Sequence, residues 1–336
     1  DDGVVMYAGI WYATGDPDDN SLIGNDVQAD NDLVGANSNT VLYLDGYTDG
    51  PITESTVIDG VTVTAGESDA FVGDGGVNGG GLYCDAERES TFAIPDRLTD
   101  VNTECSPTLR NVVFAGNQSE NRGGAIYISG DGNDNRQGTA SPVLLNVVFT
   151  GNMAEFGAAI YNRADGSNGI ANPTITNSTI TRNLAVSGTS TGTGGAIYND
   201  ASRSGDQAEL TIENTILWDN VAEAATDQIG NEGGGALITM SHSLIADGTE
   251  GVVSGTDASI DYLDDSGSSV DFGSSSNLGP GFTETQLFEY APAPAGDDGT
   301  FATADDGLHL LDGAPGIGDG DDSAVPSGVT TDATGA

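Results

Sequence analysis

Lysine is absent from all 336 residues. Eight arginines stand against 52 aspartates and glutamates, for a formal net charge of −44. With no basic patch, the chain cannot neutralise phosphates, so nucleic acid and anionic lipid surfaces are excluded as partners. Long apolar runs are missing as well. No stretch of about 18 apolar residues occurs, so direct membrane insertion by a helix is not expected. No charged n-region followed by an apolar h-region opens the chain, and the expectation is an export signal already removed. Histidine occurs twice and cysteine twice. There is no P-loop, zinc motif or Ser-His-Asp spacing. What hydrophobicity there is, 37% of residues, comes in short clusters, enough for a folded chain with one large or two small domains.

The charge has a physical consequence. At 0.1 M salt the Debye length is about 10 Å, so neighbouring carboxylates repel; at 1 M it is about 3 Å and most of that repulsion is gone. A lysine-free chain with aspartate well above glutamate reads as one adapted to concentrated salt, the alternative being an acidic secreted protein that gathers divalent cations. Cys84 and Cys105 bracket a polar stretch without periodicity, DAERESTFAIPDRLTDVNTE. The expectation is a disulfide-closed loop, stabilised by roughly 3 kcal/mol and made in an oxidising compartment; two unrelated buried thiols are the alternative.

The dominant feature is an internal repeat. Residues 107–127 read PTLRNVVFAGNQSENRGGAIY and residues 142–161 read PVLLNVVFTGNMAEFGAAIY. Residues 173–198 begin PTITNSTITRNLA and end GGAIY, and residues 210–237 begin LTIENTILWDNVA and end GGGAL. A degenerate copy precedes them (STVIDGVTVTAG, then GGGLY), and MSHSLIADG (240–248) is a last partial copy. The shared core is apolar-x-Asn-x-x-apolar-x-x-Asn, a variable loop, then Gly-Gly-Ala-Ile-Tyr. The first asparagines are Asn111, Asn146, Asn177 and Asn214; the second follow six later at Asn117, Asn152, Asn183 and Asn220.

Segments such as TITNSTI are short, β-branched and alternate with period 2, which excludes helical repeats. Two strand clusters in 31 to 37 residues are too few for a propeller blade. What remains is a coil with one turn per repeat, a parallel β-helix whose strands pair between turns. Like residues then form columns: Phe114, Phe149, Ile180 and Leu217 in one, Ile126, Ile160, Ile197 and Leu237 in another. The asparagines form ladders at a bend, where Asn tolerates left-handed geometry. The glycine pairs mark a second bend.

The GGAIYN elements and N-x-x-[FI]-x-x-N strands resemble bacterial right-handed parallel β-helix surface proteins of the pectin-lyase-like, choice-of-anchor type. The GGAI pattern is related to that of polymorphic outer-membrane proteins. GVVMYAGIWY (3–12) is similar to that family's first rung, and DDGTFATADDGLHLLDGAPGIGDG (297–320) to its tail. The family's preceding sequence and its terminal strand and anchor are not in this chain, so a trimmed product is expected. The resemblance implies a right-handed single-stranded all-β solenoid and an extracellular or cell-surface location. It leaves the activity open, since the fold hosts lyases, hydrolases, adhesins and fibres.

Polysaccharide lyases of this fold use a Lys or Arg base, but lysine is absent and the arginines do not cluster. Glycoside hydrolases of the fold carry Gly-His-Gly and Arg-x-Lys elements, and neither occurs here. His242 falls where the asparagine ladder would continue, which favours a ladder role. Calcium is the cofactor the composition suggests. Alternate-residue oxygen donors occur at Asp16, Asp18 and Asn20, at Asp131, Asn133 and Asn135, and at Asp319, Asp321 and Ser323. Asp297, Asp298, Asp305 and Asp306 form a further cluster; each such segment is more often simply a solvated loop. Asn117 and Asn177 match glycosylation acceptors but are expected ladder members.

The expected organisation is a parallel β-helix over 1–250. An acidic Ser/Gly/Asp-rich region over 251–336 would then pack on or cap it. The expected function is a non-catalytic, exported structural or adhesive protein of a salt-adapted prokaryote, with cations, glycan, other surface proteins or itself as partners. The alternative is a carbohydrate-active enzyme, which should show an acidic groove with exposed aromatics; Trp11, Tyr12 and Trp218 are the candidates.

Overall fold

The computed structural model describes residues 4–7, 10–13, 40–46, 50–68, 78–86, 103–132, 137–186, 194–203, 205–222, 228–246, 248–255, 257–279, 282–290, 292–301, 303 and 306–325. Within them each repeat makes one turn of a parallel β-helix. A turn begins on an eight-stranded sheet (Thr108–Arg110, Val143–Leu145, Thr174–Thr176, Ala208–Glu213 and their neighbours). It continues onto a six-stranded sheet (Val113–Ala115, Val148–Thr150, Thr179–Thr181, Ile216–Trp218) and a short five-stranded one (Gln118–Ser119, Met153–Ala154, Leu184–Ala185). It then crosses a seven-stranded sheet (Leu82–Asp85, Ile126–Asp131, Ile160–Asp165, Ile197–Asp200, Ile229–Glu232) and returns, in the middle turns, past a three-stranded sheet. Parallel rungs continue past residue 250 through Val252–Ser254 and Ser259–Leu263.

The corners explain the repeated residue types. At the first, Asn111, Asn146, Asn177 and Asn214 have φ of 53°, 55°, 52° and 50°, and His242 follows at 46°. Asparagine enters the left-handed region more readily than other side chains, because its amide can bond locally. The second corner uses Gly116 and Gly151, then Arg182 and Asp219, all at positive φ. At the third, Gly123 has φ 63°, and a Cβ on the next residue, Gly124, would lie 2.3 Å from the Met153 carbonyl oxygen. Here one glycine supplies the turn and the other the close approach of backbones.

The strands alternate inward and outward, so the interior is filled by columns. Phe114, Phe149, Ile180 and Leu217 are in register, extended by Val63 below and Ile245 above. The Phe114 and Phe149 rings stack at 5.2 Å. Ile126, Ile160 and Ile197 also align, but the next member is Ile229, not the expected Leu237. Leu237 lies opposite Glu209 in the eight-stranded sheet. The Gly233–Gly235 run turns the chain after the seven-stranded sheet, whereas Gly-Gly turns it before that sheet in other copies. A second correction concerns the amino-terminal segment. Val4–Tyr7 and Ile10–Ala13 pair with each other, antiparallel, instead of forming a first rung. Only two residues separate these strands, the length of the tightest hairpin connections.

Candidate functional site

The eight repeat asparagines form two different ladders. Asn117, Asn152, Asn183 and Asn220 are buried inside the coil. Each side-chain amide donates to the next rung's Oδ1: Asn117 to Asn152 at 3.0 Å, Asn152 to Asn183 at 2.9 Å, Asn183 to Asn220 at 2.8 Å. The same oxygens accept the backbone N–H of Asn117, Asn152 and Asn183. The amides also donate to the carbonyls of Val63, Phe114, Phe149 and Ile180. Gln228 accepts from Asn220 at the top, and the Gly66 N–H donates to Asn117 at the bottom. In an interior of low dielectric such a fully paired chain stiffens the core, where a half-paired one would destabilise it.

Asn111, Asn146, Asn177 and Asn214 sit at the partly wet outer corner, with bonds from Asn146 to Asn111 (3.1 Å) and from Asn214 to Asn177 (3.0 Å). Asn111 ends on Asp59. A third ladder went unread in the sequence: Asn162 donates to Asn199 at 2.8 Å and Asn199 to Asn231 at 2.9 Å. Its signal was present, an asparagine two residues after Ile160, Ile197 and Ile229.

On the outer side of the seven-stranded sheet, Tyr43, Tyr83, Tyr127, Tyr161 and Tyr198 lie in register. Tyr43 is exposed; the other four are buried. Their rings contact one another at 4.8 to 5.6 Å, and Arg122 lies 5.2 Å over the Tyr161 ring. Hydroxyls donate to carboxylates: Tyr43 to Asp85, Tyr161 to Asp200, Tyr198 to Glu232. Burial, reinforced by Asp200, pushes the Tyr161 phenol well up; burial and then the Glu232 bond do the same to Tyr198. These phenols stay protonated and donate, which suits a structural seam and not proton abstraction.

The carboxy-terminal segment crosses the upper rungs. Arg182 donates twice to Glu284 and also pairs with Asp219. Trp218, a candidate exposed aromatic, is instead covered: it packs with Leu244 against Leu287 and Phe288. The side chains of Trp11 and Tyr12 lie outside the described residues. Asp321 exchanges two hydrogen bonds with Asn214, donating its N–H to Oδ1 (2.8 Å) and accepting from Nδ2 (2.9 Å). His242 keeps the ladder's backbone geometry, yet its Nδ1 is buried without a partner and its Nε2 lies 3.5 Å from Asp265. The tail's backbone therefore pairs with Asn214 on the side where His242 continues the corner.

Asp16, Asp18, Asn20, Asn133, Asn135 and Asp305 lie outside the described residues. Asp131 ends its strand opposite Asp165, which takes both Arg163 and Arg203. Asp298 caps the N–H of Thr300, and Thr303 donates to Asp306. Asp321 accepts from the Ser323 N–H and hydroxyl, each at 2.8 Å. Among the described residues, one group of three His, Cys, Asp or Glu side chains converges: Glu213, His242 and Asp321. Asp297 and Asp319 belong to no such group. Cys84 and Cys105 are joined, with Cα atoms 5.6 Å apart, and both are buried. A hollow of about 900 Å³ opens at the coil's end, lined by Ile260, Tyr262, Phe272 and Asp271 among others. No helix among the described residues is long and apolar enough to cross a membrane.

Comparison with known proteins gives one similarity. No curated protein and no solved structure matches the chain. Residues 111–129 and 146–163 match the family described as the Chlamydia polymorphic membrane protein repeat, so two consecutive rungs, from corner asparagine to the tyrosine-bearing strand, are similar to that repeat.

Proposed function

We propose that this chain is an exported, non-catalytic cell-surface or extracellular protein with a structural or adhesive role, in a salt-adapted prokaryote. The coil is a rigid spacer, and its loops contact a glycan, a neighbouring surface protein or a second copy. The observation that carries this reading is where repeats differ in length. The corner between the two asparagines is constant, whereas insertions such as 69–77, 87–102 and 187–193 all enter before or after strands of the seven-stranded, tyrosine-bearing sheet. Loops carried on a rigid scaffold and free to vary are the usual place for recognition. Similarity to a membrane-protein repeat supports a surface location, and the joined cysteines support an oxidising compartment. The acidic loops would gather cations, calcium included.

The test has two arms. Protease treatment of intact cells should remove the protein while cytoplasmic markers survive. The purified chain should bind glycans or cells, and replacing 187–193 by a Gly-Ser linker should reduce that binding without moving the unfolding midpoint. Turnover of an acidic or neutral polysaccharide would overturn the non-catalytic reading. The salt reading predicts a melting temperature that rises as NaCl goes from about 0.1 to about 1 M, because screening relieves carboxylate repulsion. A flat or falling curve would remove it.

A further inference from the structure

We propose that Glu213, His242 and Asp321 form a binding site for a transition-metal dication of the zinc class, which clasps the tail to the last rungs of the coil. One ligand atom from each residue lies within 4.8 Å of the others. The three come from separate segments: Glu213 ends the strand Ala208–Glu213, His242 is the corner residue one rung above, and Asp321 is on the crossing tail.

Three observations set this group apart from an acidic patch. The first is the histidine itself. Four rungs place asparagine at this left-handed corner, and asparagine would serve the backbone equally well, so the fold does not ask for an imidazole. The second is its Nδ1, buried without a hydrogen-bond partner. Leaving a buried polar atom unpaired is destabilising, and a metal bond would offset that. The third is that the tail carboxylate is already aimed. The Asp321 backbone is locked to Asn214 by two bonds, and its carboxylate is held by the Ser323 N–H and hydroxyl. Ligands oriented by such outer partners are what metal sites are built from.

The donor set selects the ion. Two carboxylates and one neutral imidazole carry two negative charges, which a dication neutralises. Calcium wants six to eight oxygens, whereas one nitrogen with two oxygens suits zinc, cobalt or nickel. Three protein ligands leave a fourth position for water. With the metal on Nδ1, the free Nε2–H would face Asp265 Oδ1, which lies 3.5 Å away.

The experiment titrates the purified full chain with Zn²⁺ and Co²⁺ in a large excess of Ca²⁺, which fills unselective carboxylates. The expected result is one saturable site by calorimetry, and a Co²⁺ visible absorption band of low-coordinate nitrogen–oxygen ligation. His242→Asn installs the residue the other rungs carry, so the corner should still fold. It should weaken Zn²⁺ binding by more than about tenfold, and Asp321→Asn should do the same from the tail side. Zn²⁺ should slow protease cleavage within 282–325 in the parent chain and not in either variant. Absence of a saturable Zn²⁺ site in excess Ca²⁺, or unchanged affinity in both folded variants, overturns the proposal. Neither readout depends on where the protein resides or what its loops bind.

Discussion

The middle rungs and the upper end of this molecule are held by different kinds of contact. Between residues 107 and 222 like meets like: phenylalanine stacks on phenylalanine, amide donates to amide, tyrosine packs on tyrosine. Above that, unlike residues meet. Trp218 and Leu244 bury against Leu287 and Phe288, Arg182 pairs with Glu284, and Asn214 bonds the backbone of Asp321. The first kind of contact repeats with the chain. The second occurs once, at the upper end. Repeat arrays behave in this nearest-neighbour way, and their ends need separate cover.

The largest expected effect strikes the interior ladder. Asn152→Ala leaves the Asn117 N–H and one hydrogen of the Asn117 side-chain amide without partners in a dry core. At about 1–3 kcal/mol for each orphaned group, denaturant unfolding should show a loss of about 2–6 kcal/mol. The outer ladder gives the contrast. Asn111→Gly keeps the left-handed corner and gives up only wet bonds, so a loss of about 1 kcal/mol or less is expected. Equal losses at the two sites would show that burial is not what separates these ladders.

The next effect is confined to the upper end. Leu287→Ala removes a fully buried side chain from the tail cluster and should weaken tail docking by about 2–4 kcal/mol. Hydrogen exchange should rise across 282–325 while the coil's amides between 107 and 186 keep their protection. If both regions loosen together, the two form one cooperative unit and the distinction fails.

The smallest effect is electrostatic. Arg110, then Asn111, hold the Asp59 carboxyl below its ordinary range. A depressed folded-state value means that the pair's contribution is present above the unfolded pKa, near 4, and is lost as pH falls through the folded value. The pair is exposed and screened, so the contribution is small. Arg110→Ala should lower the neutral-pH midpoint slightly and leave the midpoint unchanged in acid, where Asp59 is protonated; a shift in acid and none at neutral pH would contradict the assignment.

The same contrast governs what the sequence revealed. Asn111 to Asn214 and Phe114 to Leu217 were legible because each residue meets its own repeat, so that periodicity is the contact list. Leu237 misled because the rung after Asn214 is short, and its glycine run was aligned by composition instead of by distance from the preceding asparagine. Ile229 lies nine residues after Asn220, as Ile126 does after Asn117. The Trp218–Leu287 contact carries no periodic trace, since nothing in either segment repeats the other. His242 was recognised as a corner residue, but the pairing of Asn214 with Asp321 joins residues 107 apart in an aperiodic tail.

The one-way run of amides from Asn117 to Gln228 has a bearing on how such a molecule could change over generations. Every intermediate link gives one hydrogen and takes one, so the run is indifferent to how many links it contains. Excising residues 146–176, or duplicating them, would leave donors and acceptors matched and only move the two terminators, Gly66 and Gln228, nearer together or farther apart. Height, at roughly 4.8 Å for each turn, is thus a quantity selection can adjust in whole steps without inventing a new core.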